Sequence, residues 1–248
     1  MRTIPRLLGS LLLLLSSQIA GAKTPIVLYS EEGQKPFSYL ENGEVKGAYV
    51  DSLVKILKKM PDYEVSIKLA PWGRAIAEVE HGESAGILGV YYRPDERPFL
   101  NHSKPIYLEE VAVYCNREAI KNRQFKQFPK DFAGMSFGNQ KSYLAPGAAF
   151  FEFAKQGKIK IVEGIEFPNL VKKMLVGELD CVVNPDPVIQ MTLKDLAAAG
   201  LPERMQDKSS LVMKTKQETV HVGFSKKFEE LHPELKKFRL LFDAMITK

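Results

Sequence analysis

KPFSYLENGEVKGAYVDSLVKILK, residues Lys35–Lys58, sets an aromatic shelf directly before a helix. Pro36-Phe37 closes a loop, and Glu41-Asn42-Gly43-Glu44 reads as a tight hairpin turn, because Asn-Gly tolerates the left-handed backbone such a turn requires. Gly47 then precedes a helical pattern. Val50, Leu53, Val54, Leu57 and Met60 fall at helical spacing, so one face packs and the other stays in water. A loop, a hairpin and an amphipathic helix in this order are common in α/β domains.

Working outward, strands and helices alternate. Ile26–Tyr29, Val65–Leu69 and Gly86–Val90 are short strand-like runs, separated by helical patterns at Val50–Met60 and Arg74–His81. The order then returns: Met135–Gly138, a helix near Ala148–Lys155, Ile159–Val162, a helix near Leu170–Val176, and Cys181–Val183. Each half ends on the same device, Gly82-Glu83 and Gly177-Glu178, where a glycine suits the left-handed position just past a helix. Two β-α-β-α-β units imply two open, mostly parallel sheets. Ser103–Cys115 runs extended between them, so the units are expected as two lobes, not one long sheet. Val220–Phe224 is a further strand. A final helix carries Leu235, Phe238, Leu241, Phe242 and Met245, with Pro233 at its first turn.

The first residues bear on compartment. Arg2 and Arg6 form a positive n-region, Leu7–Leu15 is almost wholly apolar, and Ala20-Gly21-Ala22 is a small-x-small cleavage site. These are the parts of a secretory signal peptide, residues 1–22, cleaved after Ala22, with an apolar core too short to span a bilayer. No cysteine follows the cleavage point, which argues against a lipid anchor. Removing the leader leaves 248 − 22 = 226 residues and lowers the net charge from +5 to +3. That balance, with no Lys/Arg-rich block, gives no support to nucleic acid as a partner.

In open α/β sheets, ligands lie beyond the carboxyl ends of the strands. The residues following each strand therefore mark a site. They are Glu31, Trp72 with Arg74, and Tyr91-Tyr92-Arg93 from the first unit, then Lys141-Ser142-Tyr143 and Asn184-Pro185-Asp186 from the second. Phe37 and Tyr39 join from the opening loop. Aromatic faces with a few charges suit a small polar solute: an apolar wall encloses it and convergent charges orient it. Trp72, the only tryptophan, equally suits a plug in the lobe core. Arg74 also fits a solvated first-turn position, and one of Tyr91 and Tyr92 must pack away from the cleft.

The segment after the third strand, Arg93-Pro94-Asp95-Glu96-Arg97-Pro98-Phe99-Leu100-Asn101-His102-Ser103-Lys104-Pro105-Ile106-Tyr107, carries a resemblance. With the Pro-Phe-x-Tyr run at Pro36–Tyr39 and the G-x-x-x-D helix start at Gly47–Asp51, it resembles the bacterial extracellular solute-binding proteins of family 3, the polar amino-acid binding type. The similarity runs in order along nearly all of the mature chain. It implies the type II periplasmic-binding-protein fold; the strand order sets lobe I at 23–105 plus 221–248, lobe II at 111–215, and hinge crossovers at 106–110 and 216–220. It implies a monomer in the periplasm with a small-molecule ligand and an inner-membrane ABC permease, or a membrane receptor, as partner. By the resemblance, Arg97 clamps the ligand's carboxylate; a gapless reading puts Glu96 there, and Arg93 is a further option. The family's ammonium-binding Asp falls nearest Asp186, one position late after Asp180-Cys181-Val182-Val183-Asn184-Pro185. Its Gly-Thr-Thr helix start appears as Ser142-Tyr143-Leu144. These departures point away from a standard α-amino acid.

Other chemistries are weaker. Gly134-Met135-Ser136-Phe137-Gly138 matches a nucleophile elbow, with Asp186 and His221 downstream, but Ser136 lies inside a strand-like run where the elbow needs a strand-to-helix turn. Histidines 81, 102, 221 and 232 show no zinc spacing, and no Gly-rich phosphate loop or other cofactor motif is present. A dehydratase of the cyclohexadienyl type, which resembles a family 3 binding protein with an acid catalyst, would use Glu31 or Glu96. Binding without catalysis is the expectation. Cys115 and Cys181, the two cysteines, are expected as a disulfide or as two buried thiols, with no catalytic role.

Overall fold

The computed structural model describes residues 24–246, so the leader expected at 1–22 lies outside the described residues. β1 (Thr24–Glu31) leads into the quoted stretch, where β2 (Tyr39–Glu41) and β3 (Glu44–Lys46) form the hairpin. Its turn holds two successive left-handed residues, Asn42 at φ 52° and Gly43 at φ 81°. α1 (Ala48–Leu57) follows. The backbone N–H groups of Ala48 and Tyr49 donate to the carbonyls of Pro36 and Phe37 at 3.1 Å each, so the loop caps the helix's first turn. The buried face is Tyr49, Val50, Leu53 and Ile56, whereas Val54, expected inside, is exposed.

Gly47 makes that cap possible. It sits at φ 126°, and a Cβ there would overlap the Phe37 carbonyl oxygen. Gly47→Ala is therefore expected to destabilise the protein by about 2–3 kcal/mol through backbone strain and steric overlap. Urea denaturation measures it. A loss under about 1 kcal/mol would mean that the Phe37 loop moves aside freely.

The first unit continues with β4 (Tyr63–Ala70), α2 (Trp72–Glu80) and β5 (Gly86–Tyr91), and β1 pairs in parallel with both β4 and β5. β6 (Leu100–His102) and β7 (Tyr107–Asn116) lead into the second unit of β8 (Ser136–Gln140), α3 (Ala148–Lys155), β9 (Lys160–Gly164), α4 (Phe167–Val176) and β10 (Cys181–Pro185). There β8 pairs in parallel with both β9 and β10. α5 (Asp186–Ala198), α6 (Glu203–Gln206), β11 (Ser209–Ser225), α7 (Lys226–Leu231) and α8 (Glu234–Met245) complete the chain. Gly82 and Gly177 are both left-handed, at φ 75° and 83°, and the next residue's N–H reaches back to Glu78 and Lys173 respectively, so the two units end on the same closing bond.

Hydrogen bonding does not stop between the units, which differs from the expected separation into two sheets. The order is β4-β1-β5-β11-β7-β10-β8-β9. β7 and β11 are long, antiparallel and paired with each other from Tyr107↔Val220 to Asn116↔Ser209, so the two crossovers join both parallel groups edge to edge. β10 runs antiparallel to β7 and sets Cys181 directly opposite Cys115, and the structure joins the two by a disulfide.

Candidate ligand-binding cleft

The parallel strands of both units deliver their carboxyl ends to one place. Glu31 ends β1, Tyr91 ends β5, Gln140 ends β8 and Pro185 ends β10, while Trp72 opens α2 just past β4. Between them lies a pocket. Gln34, Tyr49, Trp72, Gly89, Tyr91 and Arg97 line it from the first unit, Glu109 from crossover β7, and Tyr143, Leu144, Ala145 and Pro185 from the second.

Direct bonds tie the two walls together. The Arg97 guanidinium (Nη2) donates to the Ser142 carbonyl at 3.1 Å, and the Trp72 indole (Nε1) donates to the same oxygen at 3.3 Å. Arg97 also stands 5.2 Å from the Trp72 ring, and that ring meets Tyr143 edge-on at 5.4 Å. Burial, with Arg93 adding repulsion, lowers the Arg97 guanidinium to about 10, so it stays charged at neutral pH. A second link runs from Gln140 Nε2, which donates to Glu31 Oε1 at 2.5 Å.

The floor is built from an acid and two phenols. Tyr49 and Tyr91 each donate a hydroxyl hydrogen to one oxygen of the buried Glu109 carboxylate. Phe37 stacks on Tyr49 with 4.6 Å between ring centres. Glu109 pairs across strands with Glu218, and Glu218 takes Arg93 at 2.8 Å. Burial pushes Glu109 up to about 7, against the phenol bonds that pull it down, and Glu218 pushes it further up.

Of the residues expected at the site, Trp72, Tyr91, Arg97 and Tyr143 line the pocket, and Ser142 contributes its backbone carbonyl. Phe37 is fully buried one layer back, behind Tyr49. Arg74 is exposed and paired with Glu78 at 2.7 Å; it borders an outer groove with Trp72, Lys141 and Ser142. Tyr92, one residue past the end of β5, is 55% exposed and packs on His102 and His221. Glu31 lies at the junction of the two units, outside the pocket lining. Asp186 is turned away too. It accepts from Tyr114 at 2.8 Å and Gln190 at 2.9 Å and pairs with Lys214 at 3.2 Å, while Pro185, one residue earlier, takes the wall position. Burial works against the ionised Asp186, but its bonds from Gln190, Tyr114 and Lys214 outweigh that and hold its carboxyl low.

Among the three options for the clamp position, Glu96 is exposed and Arg93 is engaged with Glu218, which leaves Arg97 in the pocket. The nucleophile elbow does not assemble. Ser136 begins a strand and bonds Asp180, and His221 bonds the Ser103 carbonyl and the Thr219 hydroxyl. Tyr49 and Glu109 are pocket residues that the strand-end rule misses. Glu109 left a trace: it alternates with Tyr107 and Val111 on a strand face that is otherwise apolar.

Glu31 has a consequence for pH. Burial pushes its carboxyl up to about 8, only partly offset by the Gln140 bond, with Glu166 adding to the rise. A carboxyl raised in the folded state binds more protons there than in the unfolded chain, so stability is highest below the ordinary carboxylate value. It falls as pH rises towards about 8. Melting temperature is expected to drop between pH 5 and pH 8, and Glu31→Gln to flatten that drop. An equal slope in the variant would remove Glu31 as its source.

A fold of two α/β units around one pocket, joined by paired crossovers, defines a two-lobed binding protein of the periplasmic type. The chain belongs to the bacterial extracellular solute-binding proteins of family 3, whose sequence profile matches residues 26–238. No curated protein sequence matches it. Among solved structures, an ancestral arginine-binding protein bound to arginine is 19% identical, with 90% of this chain and 97% of that one covered and a TM-score of 0.65. The arginine-, lysine-, histidine-binding protein ArtJ of Geobacillus stearothermophilus is 16% identical, with 90% and 87% covered and a TM-score of 0.67. A histidine kinase sensor domain with similarity to periplasmic binding proteins is 14% identical, with 90% and 95% covered and a TM-score of 0.67. Likeness at these identities is one of fold.

Proposed function

We propose that this chain is a periplasmic solute-binding protein that captures a small polar solute, an amino acid or a related compound, by lobe closure. It then delivers the solute to an inner-membrane ABC permease and catalyses no reaction. The lobes on this reading are 23–105 plus 221–248 and 111–215, hinged at 106–110 and 216–220, after removal of residues 1–22. One observation carries the reading: a single pocket draws its wall from both units, and Arg97 and Trp72 bond across it to Ser142. Neither Glu31 nor Glu96, the acids singled out for a dehydratase, lines that pocket, and the acid that does, Glu109, is held by the hydroxyls of Tyr49 and Tyr91.

A thermal-shift screen of amino acids, polyamines, small peptides and organic acids tests it. A solute at 100 times its dissociation constant stabilises the protein by about 2.7 kcal/mol. Small-angle scattering at saturation should then show a smaller radius of gyration. An unchanged radius would count against closure. The similarity to a histidine kinase sensor domain supports a second reading, in which the same closure signals to a membrane receptor. Binding of the closed form to a reconstituted permease, against none to a receptor periplasmic domain, separates the two.

A further inference from the structure

The pocket floor is chemically one-sided. A phenol carries one hydrogen, and both Tyr49 and Tyr91 turn theirs to Glu109. With Glu109 ionised, what remains there for a guest is lone pairs alone, on two phenol oxygens and on the carboxylate. All three residues line the pocket. They come from three separate elements, α1, β5 and β7, so the cradle is set by the fold and not by one flexible loop. Among the described residues no lysine, arginine or histidine pairs with Glu109, although the neighbouring acid Glu218 takes Arg93. A buried carboxylate is ordinarily matched by a cation. Asp186, the other acid expected at the site, is engaged with Tyr114, Gln190 and Lys214 outside the pocket lining. The pocket's one lining guanidinium, Arg97, is held against Trp72 and Ser142.

The geometry points to Glu109, cradled by Tyr49 and Tyr91, as a cation-binding subsite, and to a solute bearing an N–H-rich cation, an ammonium or guanidinium, that seats there. This rests on the reading of the cleft as a solute site. A carboxylate or carbonyl at the same place meets only lone pairs, and an alkyl group leaves the buried acid unmatched. Arg97 offers only donors, so it suits an acceptor elsewhere on the same solute. The arrangement also couples binding to protons. Facing Glu109 are Tyr49 from α1, Tyr91 from β5, and Glu218 with its partner Arg93. In the empty pocket burial leaves Glu109 near 7, whereas a seated cation favours its ionised form. Binding therefore releases protons near neutral pH and tightens as pH rises through about 7.

The test uses L-arginine, L-glutamine, agmatine and putrescine as cation-bearing probes, with N-acetyl-L-glutamine, succinate and D-ribose as probes without a cation. Thermal shift is expected only with members of the first group. Calorimetry of the tightest probe at pH 7 in phosphate and in Tris should give different heats, the mark of proton release. Glu109→Gln keeps the shape and should weaken that probe by about 30-fold or more, with the buffer difference gone. Tyr91→Phe, which leaves the acid in place with one donor fewer, should retain proton release, and so should Glu31→Gln. Stabilisation by the cation-free probes alone overturns the subsite while leaving solute binding intact. Buffer-independent heats in the wild type, or full affinity in Glu109→Gln, overturn it as well. Should no probe in either group bind, the solute-binding reading beneath it falls too.

Discussion

Arg97→Ala is expected to weaken binding of the solute that stabilises the wild-type protein by about 2–5 kcal/mol, roughly 30- to 4000-fold. Arg97 is buried, lines the pocket, and carries a charge that survives at neutral pH. Its removal leaves the solute's acceptor group without its cation inside a closed cleft. It also deletes a bond from one wall to the Ser142 carbonyl on the other, so closure itself loses a contact. Arg97→Lys should recover only part of the affinity, because an ammonium cannot hold Ser142, lie flat against Trp72 and face the solute together. Calorimetric titration measures both variants, and an unchanged far-UV dichroism spectrum shows that the fold persists. Near-wild-type affinity in Arg97→Ala would sink Arg97 as the clamp and direct attention to Arg93 and Arg74.

The residues around Arg97 show what sequence could reveal. Trp72, Tyr91 and Tyr143 were legible because each stands at or just beyond the carboxyl end of a parallel strand, a topological rule that needs no coordinates, whereas Arg97 was legible only through the family resemblance. The rule does not reach Tyr49, which enters from the first turn of a helix, nor Glu109, which enters from the side on a crossover strand. It also fails at single-residue precision. Pro185 ends β10 and faces the pocket, whereas Asp186 opens α5 and turns to Lys214. Likewise Tyr91 ends β5 in the pocket, while Tyr92, the next residue, lies outside it beside His102.

The architecture was more legible than the site because it rests on repetition. The two units share their element order and their closing glycines, and hydrophobic spacing located α1, α2, α4 and α8. α5 leaves little trace in the sequence: its buried residues are Asp186, Val188, Ile189 and Leu196, and the roughly two helical turns between Ile189 and Leu196 carry no strongly apolar run. The joining of two sheets into one was hidden for another reason. It depends on β7 and β11 pairing across about a hundred residues of chain, a long-range contact that local patterns do not encode.

Replacing both Cys115 and Cys181 by alanine is expected to destabilise the protein by about 4 kcal/mol, the loop-closure entropy of a cross-link spanning 66 residues. The melting temperature should fall by roughly 8–16 °C, and reductant should do the same to the wild type. The two residues face each other at the start of β10, whereas the pocket touches that strand only at its other end, at Pro185. Both side chains are fully buried, so part of the loss is packing, and reduction without substitution isolates the cross-link. Solute affinity, measured where both forms are folded, should then be nearly unchanged by reduction. Thiol titration of the unfolded, unreduced protein provides the direct check: two free thiols would eliminate the bridge and the effect of reductant with it. A large drop in affinity on reduction would instead show that β10 transmits strain from Cys181 to the cleft, since Pro185 is that strand's sole member on the pocket wall.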